Sequence, residues 1–386
     1  MHILVFCYLV VVGYGIARIV FGYRRIDALF LAPLSFSLVI TIVSAAVYVT
    51  GAFTPLAING IAAAPLLVLL AAVTLKKTRG SHLKGQVSPV SASGIRVLPL
   101  LLIGISLLLS AASIALLLSA RTTETTLGPW DVVDPIFFSL IASNALTLLI
   151  LSKNEHAPLI GWYAAAGAYI GTASAVTAVI YPLGFGFDPI LHRAAETLIA
   201  QQGFIDPRTL YYGGHYGLVT TLSAMFSLTS ATVDRFIVPV LAAISIPVLA
   251  YRSFLFARAQ QADRIAATLM IVGLPIAALG SGTPWGYALL LTTVVILTSI
   301  QLQCDKNKTT LAFLAAAVLS LLFVHPLAGL PIGFIAAGSV LMAYRAFSFR
   351  IAIGCVVAAA ASAPIAFIAN SLLSRQLPVT IIVPDA

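Results

Sequence analysis

Acidic side chains are scarce in this chain: 12 Asp and Glu among 386 residues, against 21 Lys and Arg. Charged residues of both signs make up only 9% of the sequence, where soluble domains carry about 25%. That shortage excludes an ordinary water-soluble domain and a disordered polar chain. Cysteine is nearly absent too. Cys7, Cys304 and Cys355 stand alone, which excludes a disulfide framework and a Cys/His metal motif. No phosphate-binding glycine loop, dinucleotide fingerprint, HExxH or GxSxG pattern occurs. The first apolar run, 2–22, lacks the basic leader and small-residue cleavage site of a signal peptide, so it reads as a retained helix. The net charge of +9 does not point to nucleic acid. The basic residues sit in short connections between apolar runs, as in a polytopic membrane protein.

Apolar residues fill the rest. They form 60% of the sequence, and mean hydropathy is +1.06. Only a bilayer solvates that much apolar helix surface, and about 20 apolar residues carry a helix across it. Candidate spans are 2–22, 28–50, 55–75, 97–119, 135–152, 159–182, 214–230, 234–256, 265–280, 285–302, 309–325, 328–344 and 350–372. The run 214–230 is short, and 309–344 is split by His325-Pro326 into a broken helix or a tight hairpin. The expected fold is an all-α polytopic transmembrane protein of about 12–13 spans, with an interfacial amphipathic helix in its main outward loop. Residues 1–182 are N-terminal transmembrane helices, 183–215 an outward catalytic-type loop, and 216–386 C-terminal transmembrane helices. The closing Leu377–Ala386 segment reads like the start of a further, soluble part.

Lys and Arg set the orientation. Loop 76–96 carries Lys76, Lys77, Arg79, Lys84 and Arg96, which places it in the cytoplasm of a plasma-membrane protein. Arg24 and Arg25, two spans earlier, fall on the same side, and loops 120–134 and 183–213 face outward. Simple alternation then puts Arg252, Arg258 and Arg264 outside, against the charge rule. The conflict disappears if 214–230 does not fully cross.

With so few acids, the search for chemistry is short. The segment Gly186-Phe-Asp188-Pro-Ile-Leu-His192-Arg193-Ala-Ala-Glu196 continues through Gly203, Asp206-Pro-Arg208 and Tyr211-Tyr212-Gly-Gly-His215-Tyr216. No other stretch gathers as many ionisable groups. Pro189–Gln202 has helical spacing, with Ile190, Leu191, Ala194, Ala195, Leu198 and Ile199 on one face and His192, Arg193 and Glu196 on the other. Asp188 stands as N-cap with Pro189 at the first position, and Gly203 as C-cap. A purely structural account is therefore complete: Asp188 caps, Glu196 pairs with Arg193 or His192, and Asp206-Pro207 turns. Economy argues for more, since three of the 12 acids share this loop.

The run Phe187-Asp188-Pro189-x-x-His192-Arg193-x-x-Glu196-x-Leu198-Ile199, with Gly203 after it, resembles the first extracytoplasmic loop of GT-C membrane glycosyltransferases. It is most similar to oligosaccharyltransferase catalytic subunits. Tyr211-Tyr212, Leu228-Thr-Ser230, Val233-Asp-Arg235 and Val248-Leu-Ala-Tyr251-Arg252 extend the likeness over about 183–260. The resemblance implies transfer of a sugar or glycan from a polyprenyl-phosphate donor to an acceptor on the extracytoplasmic face. It implies Asp188 as base or ligand of a divalent cation (Mg2+ or Mn2+), with Glu196 and Asp206 assisting. His192, Arg193, Arg208, Tyr211, Tyr212 and His215 would lie at the donor phosphate. The chain departs from that family in two ways: six apolar runs precede the motif, and a Trp-Trp-Asp-Tyr-Gly motif is absent.

Asp131 and Asp134, in Gly128-Pro-Trp130-Asp131-Val-Val-Asp134-Pro135, are the best further metal ligands, or else an N-cap beside an interfacial Trp. His325 is either a functional intramembrane group or a neutral side chain at a Pro break. Gly280-Ser-Gly-Thr-Pro-Trp285-Gly-Tyr287 reads as an interfacial turn beside a lipid groove, and Arg18 as a snorkelling cation. Asp27, Glu155, Asp234, Asp263 and Asp305 have local explanations in short turns, and Glu124 and Asp385 have no argued role. The alternative functions are a transporter or flippase for a lipid-linked or small solute, with ionisable groups at the midplane, and a non-catalytic GT-C-like subunit.

Overall fold

The computed structural model describes residues 2–78, 97–124, 126–205, 211–254, 260–274, 276–280, 282–344 and 348–374. The described elements are all helices: α1 His2–Gly15, α2 Arg25–Thr50, α3 Pro55–Thr78, α4 Val97–Ser119, α5 Ile136–Lys153, α6 Leu159–Ser174 and α7 Val176–Ile180. Then follow α8 Asp188–Gln202, α9 Gly213–Phe226, α10 Ser230–Ser253, α11 Gln260–Gly273, α12 Pro284–Asp305, α13 Lys308–Val324, α14 Pro326–Ala343 and α15 Phe349–Ser374. Eight of the described helices are long and apolar enough to cross a membrane. The protein is an all-α polytopic membrane protein.

Two kinds of apolar helix are present. On α4, Val97, Leu101 and Leu108 are more than half exposed, which suits a helix that faces lipid. On α2 and α10, 67% of the apolar window is buried inside the protein, against 17% on α3. The buried helices carry small polar residues, such as Ser35, Ser37, Thr41 and Ser44 on α2. Small side chains let helices approach closely where apolar area alone gives no drive to associate.

Cross-bundle contacts decide which ends share a face. Arg24 and Arg25 begin α2, and the Asp27 carboxylate beside them pairs with Arg252 at the end of α10, 3.7 Å away. Arg264 donates to the Ala157 carbonyl at 2.8 Å, in the turn between α5 and α6. Phe21 and Tyr23 stack edge-on against Phe313, near the start of α13. Arg18 reaches the Tyr23 carbonyl at 2.8 Å, as a snorkelling cation should. On the opposite face, Phe53 N–H donates to the Gly203 carbonyl, and Thr122 N–H to that of Ile180. The 51–54 turn, the 120–134 loop and α8 therefore lie together, on what is called here the loop face.

This geometry removes the orientation conflict. Helix α9 has 14 residues, about 21 Å, less than the roughly 30 Å of a hydrocarbon core. His215 near its start touches Asp234, five residues into α10. The chain thus re-enters α10 close to the level at which it began α9. Segment 214–230 does not make a full crossing, and α10 delivers Arg252 to the Arg24 face. Helices α13 and α14 form the tight hairpin, joined at His325.

Candidate functional site

The first turns of helix α8 are amphipathic in the sense opposite to a soluble surface helix. Ile190 and Leu191 are 58% and 51% exposed, while Glu196 is fully buried with Ile199 beside it. At an interface the apolar face belongs to lipid and the polar face to the protein. Phe187, not Asp188, is the N-cap, and it makes no side-chain cap bond. Gly203 ends the helix at φ +83°, a left-handed C-cap that favours glycine, with its N–H on the Ile199 carbonyl at 2.8 Å.

Inside, Glu196 of α8 meets His215 of α9 and Asp234 of α10, all at 0% exposure. His215 Nε2 lies 2.9 Å from Asp234 Oδ1 and 3.7 Å from Glu196 Oε1. In this arrangement the Nε2 hydrogen donates to Asp234. Four atoms find no hydrogen-bond partner: both Glu196 carboxylate oxygens, Asp234 Oδ2 and His215 Nδ1. Burial drives the Glu196 carboxyl well above the usual carboxylate range, and the Asp234 charge adds to the rise, opposed by Arg193.

Next to this cluster, a cavity of about 390 Å³ opens on the loop face. Arg193 and Arg235 line it, with apolar walls that include Trp130, Phe185, Pro189 and Trp285. Each guanidinium gives one hydrogen bond to a carbonyl, Arg193 to Leu183 and Arg235 to Pro182, and each keeps a buried Nε without a partner. Gly282 forms the partition between cavity and cluster. A Cβ there would lie 3.3 Å from Asp234 Oδ2 and 3.1 Å from the Arg235 Cα. A larger residue there would press on the unpaired carboxylate oxygen, which glycine leaves close to the cavity wall.

An aromatic ring of contacts completes the rim. His192 Nδ1 shares a hydrogen with the Tyr216 hydroxyl at 2.8 Å, and its ring lies edge-on to Tyr212. Burial, followed by the His215 charge, lowers His192 to about 4, so its imidazole is neutral at pH 7. Tyr211 packs against Tyr212. His325 lies between Tyr212 and Trp285, at ring distances of 5.4 and 5.2 Å. It belongs to the loop face and not to the membrane interior, and Gly280, Gly282 and Trp285 line the cavity.

Several expectations change. Glu196 pairs with neither Arg193 nor His192; its partner is His215, because the polar face of α8 turns inward. Asp234, read as a turn residue with a local explanation, is a fully buried tertiary contact. Asp27 is likewise tertiary, accepting from the Tyr163 hydroxyl at 2.9 Å. Asp305 is local as expected, accepting from Gln301 and the Asn307 N–H. Asp188 is exposed at the first turn of α8. Asp131 accepts from Gly128 N–H and Asp134 from Ile136 N–H, the bonds of turns and caps. Asp188, Asp131 and Asp134, expected as cation ligands, do not come together as a group of three among the described residues. Among the described residues the group of three able to hold a metal is Glu196, His215 and Asp234. Asp206 and Arg208 lie outside the described residues. The signal for Asp234 was its place at the head of an apolar run, where an acid drawn into the protein is costly and commonly functional.

No family model matches the chain, and neither does any curated protein or solved structure.

Proposed function

We propose that the protein is a membrane glycosyltransferase, moving a sugar or glycan from a polyprenyl-phosphate donor to an acceptor hydroxyl on the loop face, the extracytoplasmic side of the plasma membrane. The observation that carries this reading is the cavity with two guanidiniums in an apolar shell. That is the chemistry of a phosphate on a hydrocarbon chain. Arg193 and Arg235 receive the phosphate, and Trp130, Phe185 and Trp285 take the first isoprene units. Asp188 stands one residue from Pro189 of the cavity wall and accepts the acceptor proton. The acceptor oxygen bonds to the sugar C1 as the C1–O bond to phosphate breaks, and the guanidiniums neutralise the departing phosphate. The buried ionisable groups among the described residues gather near the two faces, whereas a transporter keeps them at the midplane.

The test is binding by the full-length protein in proteoliposomes. Polyprenyl phosphate is expected to bind at least tenfold more tightly than the neutral polyprenol. The double variant Arg193→Ala, Arg235→Ala should lose roughly tenfold to a hundredfold of that affinity, as for charged hydrogen bonds worth about 1.5–3 kcal/mol. Equal binding of phosphate and alcohol overturns the reading. So does undiminished sugar transfer by a folded Asp188→Asn protein supplied with polyprenyl-linked sugars.

A further inference from the structure

We infer that Glu196, His215 and Asp234 bind one divalent transition-metal ion, of the Zn2+ or Mn2+ class, which clamps α8 to α9 and α10 behind the arginine-lined cavity. The three ligand atoms, one from each side chain, already lie within 4.8 Å of one another. Ligands at 2.0–2.2 Å around a tetrahedral ion stand about 3.4 Å apart. The two separations from His215, 2.9 and 3.7 Å, bracket that value, and the Glu196 and Asp234 ligand atoms lie within 4.8 Å, so side-chain movement of about an ångström closes the set around an ion.

The cluster is incomplete without a cation. Two carboxylates and an imidazole are fully buried, and among the described residues neither carboxylate pairs with a Lys or Arg. Uncompensated buried charge is expensive. A proton does not complete the set. A protonated Glu196 would have a hydroxyl to donate, yet neither of its oxygens has a partner within hydrogen-bond reach. A metal ion takes the place of the Nε2 hydrogen, which leaves to solvent, and is held by Glu196, Asp234 and Nε2 together. The mixed oxygen and imidazole donors favour Zn2+ or Mn2+ over Mg2+ and Ca2+, which prefer oxygen alone.

The placement gives the ion a role. Glu196 lies one helical turn from Arg193, and Asp234 directly precedes Arg235. An ion held between the two acids fixes the backbones that carry both guanidiniums. The inference concerns binding alone and does not require the transfer reaction.

The experiment is elemental analysis and thermal melting of the full-length protein, purified in detergent through a tag free of histidine. About one Zn or Mn per chain is expected, falling below a tenth in Asp234→Asn and His215→Gln. Chelator should lower the melting temperature of the wild type, and Zn2+ or Mn2+ should restore it, with no response in Asp234→Asn. Wild-type protein that takes up neither ion saturably, and melts alike with and without them, overturns the inference even if the variants fail to fold. Equal metal content in wild type and folded Asp234→Asn also overturns it. Metal binding without sugar transfer would overturn only the proposed reaction, and sugar transfer by a protein that takes up neither ion would overturn only this site.

Discussion

Two buried ionisable clusters occupy opposite faces of the bundle, and they are built differently. On the Arg24 face, Asp27 is matched one for one. Its Oδ1 accepts from the Tyr163 hydroxyl, and its Oδ2 faces the Arg252 guanidinium. On the loop face, two acids share one imidazole, and three carboxylate oxygens have no donor. The first cluster balances its charge with side chains already present, so it serves to lock α2, α6 and α10 together. The second holds more acceptor capacity than its neighbours satisfy. Native interiors rarely leave such groups unmatched without a functional cause. The contrast separates structural from ligand-seeking chemistry within one chain.

The largest effect that would break this contrast lies in the matched cluster. Arg252→Ala leaves the Asp27 carboxylate buried without its cation, at a cost of about 3 kcal/mol. Glu196→Gln in chelator-treated protein replaces a buried acid that has no cation by a neutral amide of the same shape, so it should be neutral or stabilising. Denaturant unfolding in detergent checks both. A larger loss for Glu196→Gln than for Arg252→Ala would mean the loop-face acids are structural after all.

A smaller effect is expected at the partition. Gly282→Val places atoms against Asp234 and Arg235, where even a Cβ is at 3.1–3.3 Å. Overpacking of this kind costs about 1–3 kcal/mol. Polyprenyl phosphate binding and metal content should fall together, while the Arg252→Ala penalty stays unchanged. A loss of stability with neither binding changed would uncouple the cavity from the cluster.

The smallest effect concerns pH. His192 sits at about 4 in the folded protein, below its ordinary 6.5, because burial favours the neutral ring. The unfolded chain therefore takes up the proton first. Stability from this residue is fully present above pH 6.5 and is lost as pH falls from there toward 4. His192 is only part-buried, so solvent screening holds the change under about 1 kcal/mol. The difference between wild-type and His192→Gln melting curves across pH 4–7 isolates it. A wild type that gains stability relative to the variant on acidification would reverse the sign.

Much of the architecture was legible in one dimension. Helices coincide with the apolar runs because a bilayer leaves the backbone no other partner than itself. The π-helical turn at Ile16–Val20 and the break at Ala175 between α6 and α7 lie within the expected spans. Arg193 and the Trp285 turn, both singled out in the sequence, line the loop-face cavity. Asp234 and the inward turn of Glu196 were not, because periodicity assigns residues to two faces of a helix without saying which face meets lipid. A soluble helix buries its apolar side, whereas α8 exposes Ile190, Leu191 and Leu198 and buries Glu196 together with Ile199.

The sequence by itself determined a polytopic helical membrane protein whose acids are few and whose ionisable groups crowd one loop. That follows from composition and run length, which are local and additive. Only the tertiary structure decided that Glu196, His215 and Asp234 meet, that Gly282 sets them against an arginine-lined cavity, and that 214–230 stops short of a crossing. The physical reason is that burial of a charge depends on what three helices bring to one point, and no spacing along the chain encodes that distance.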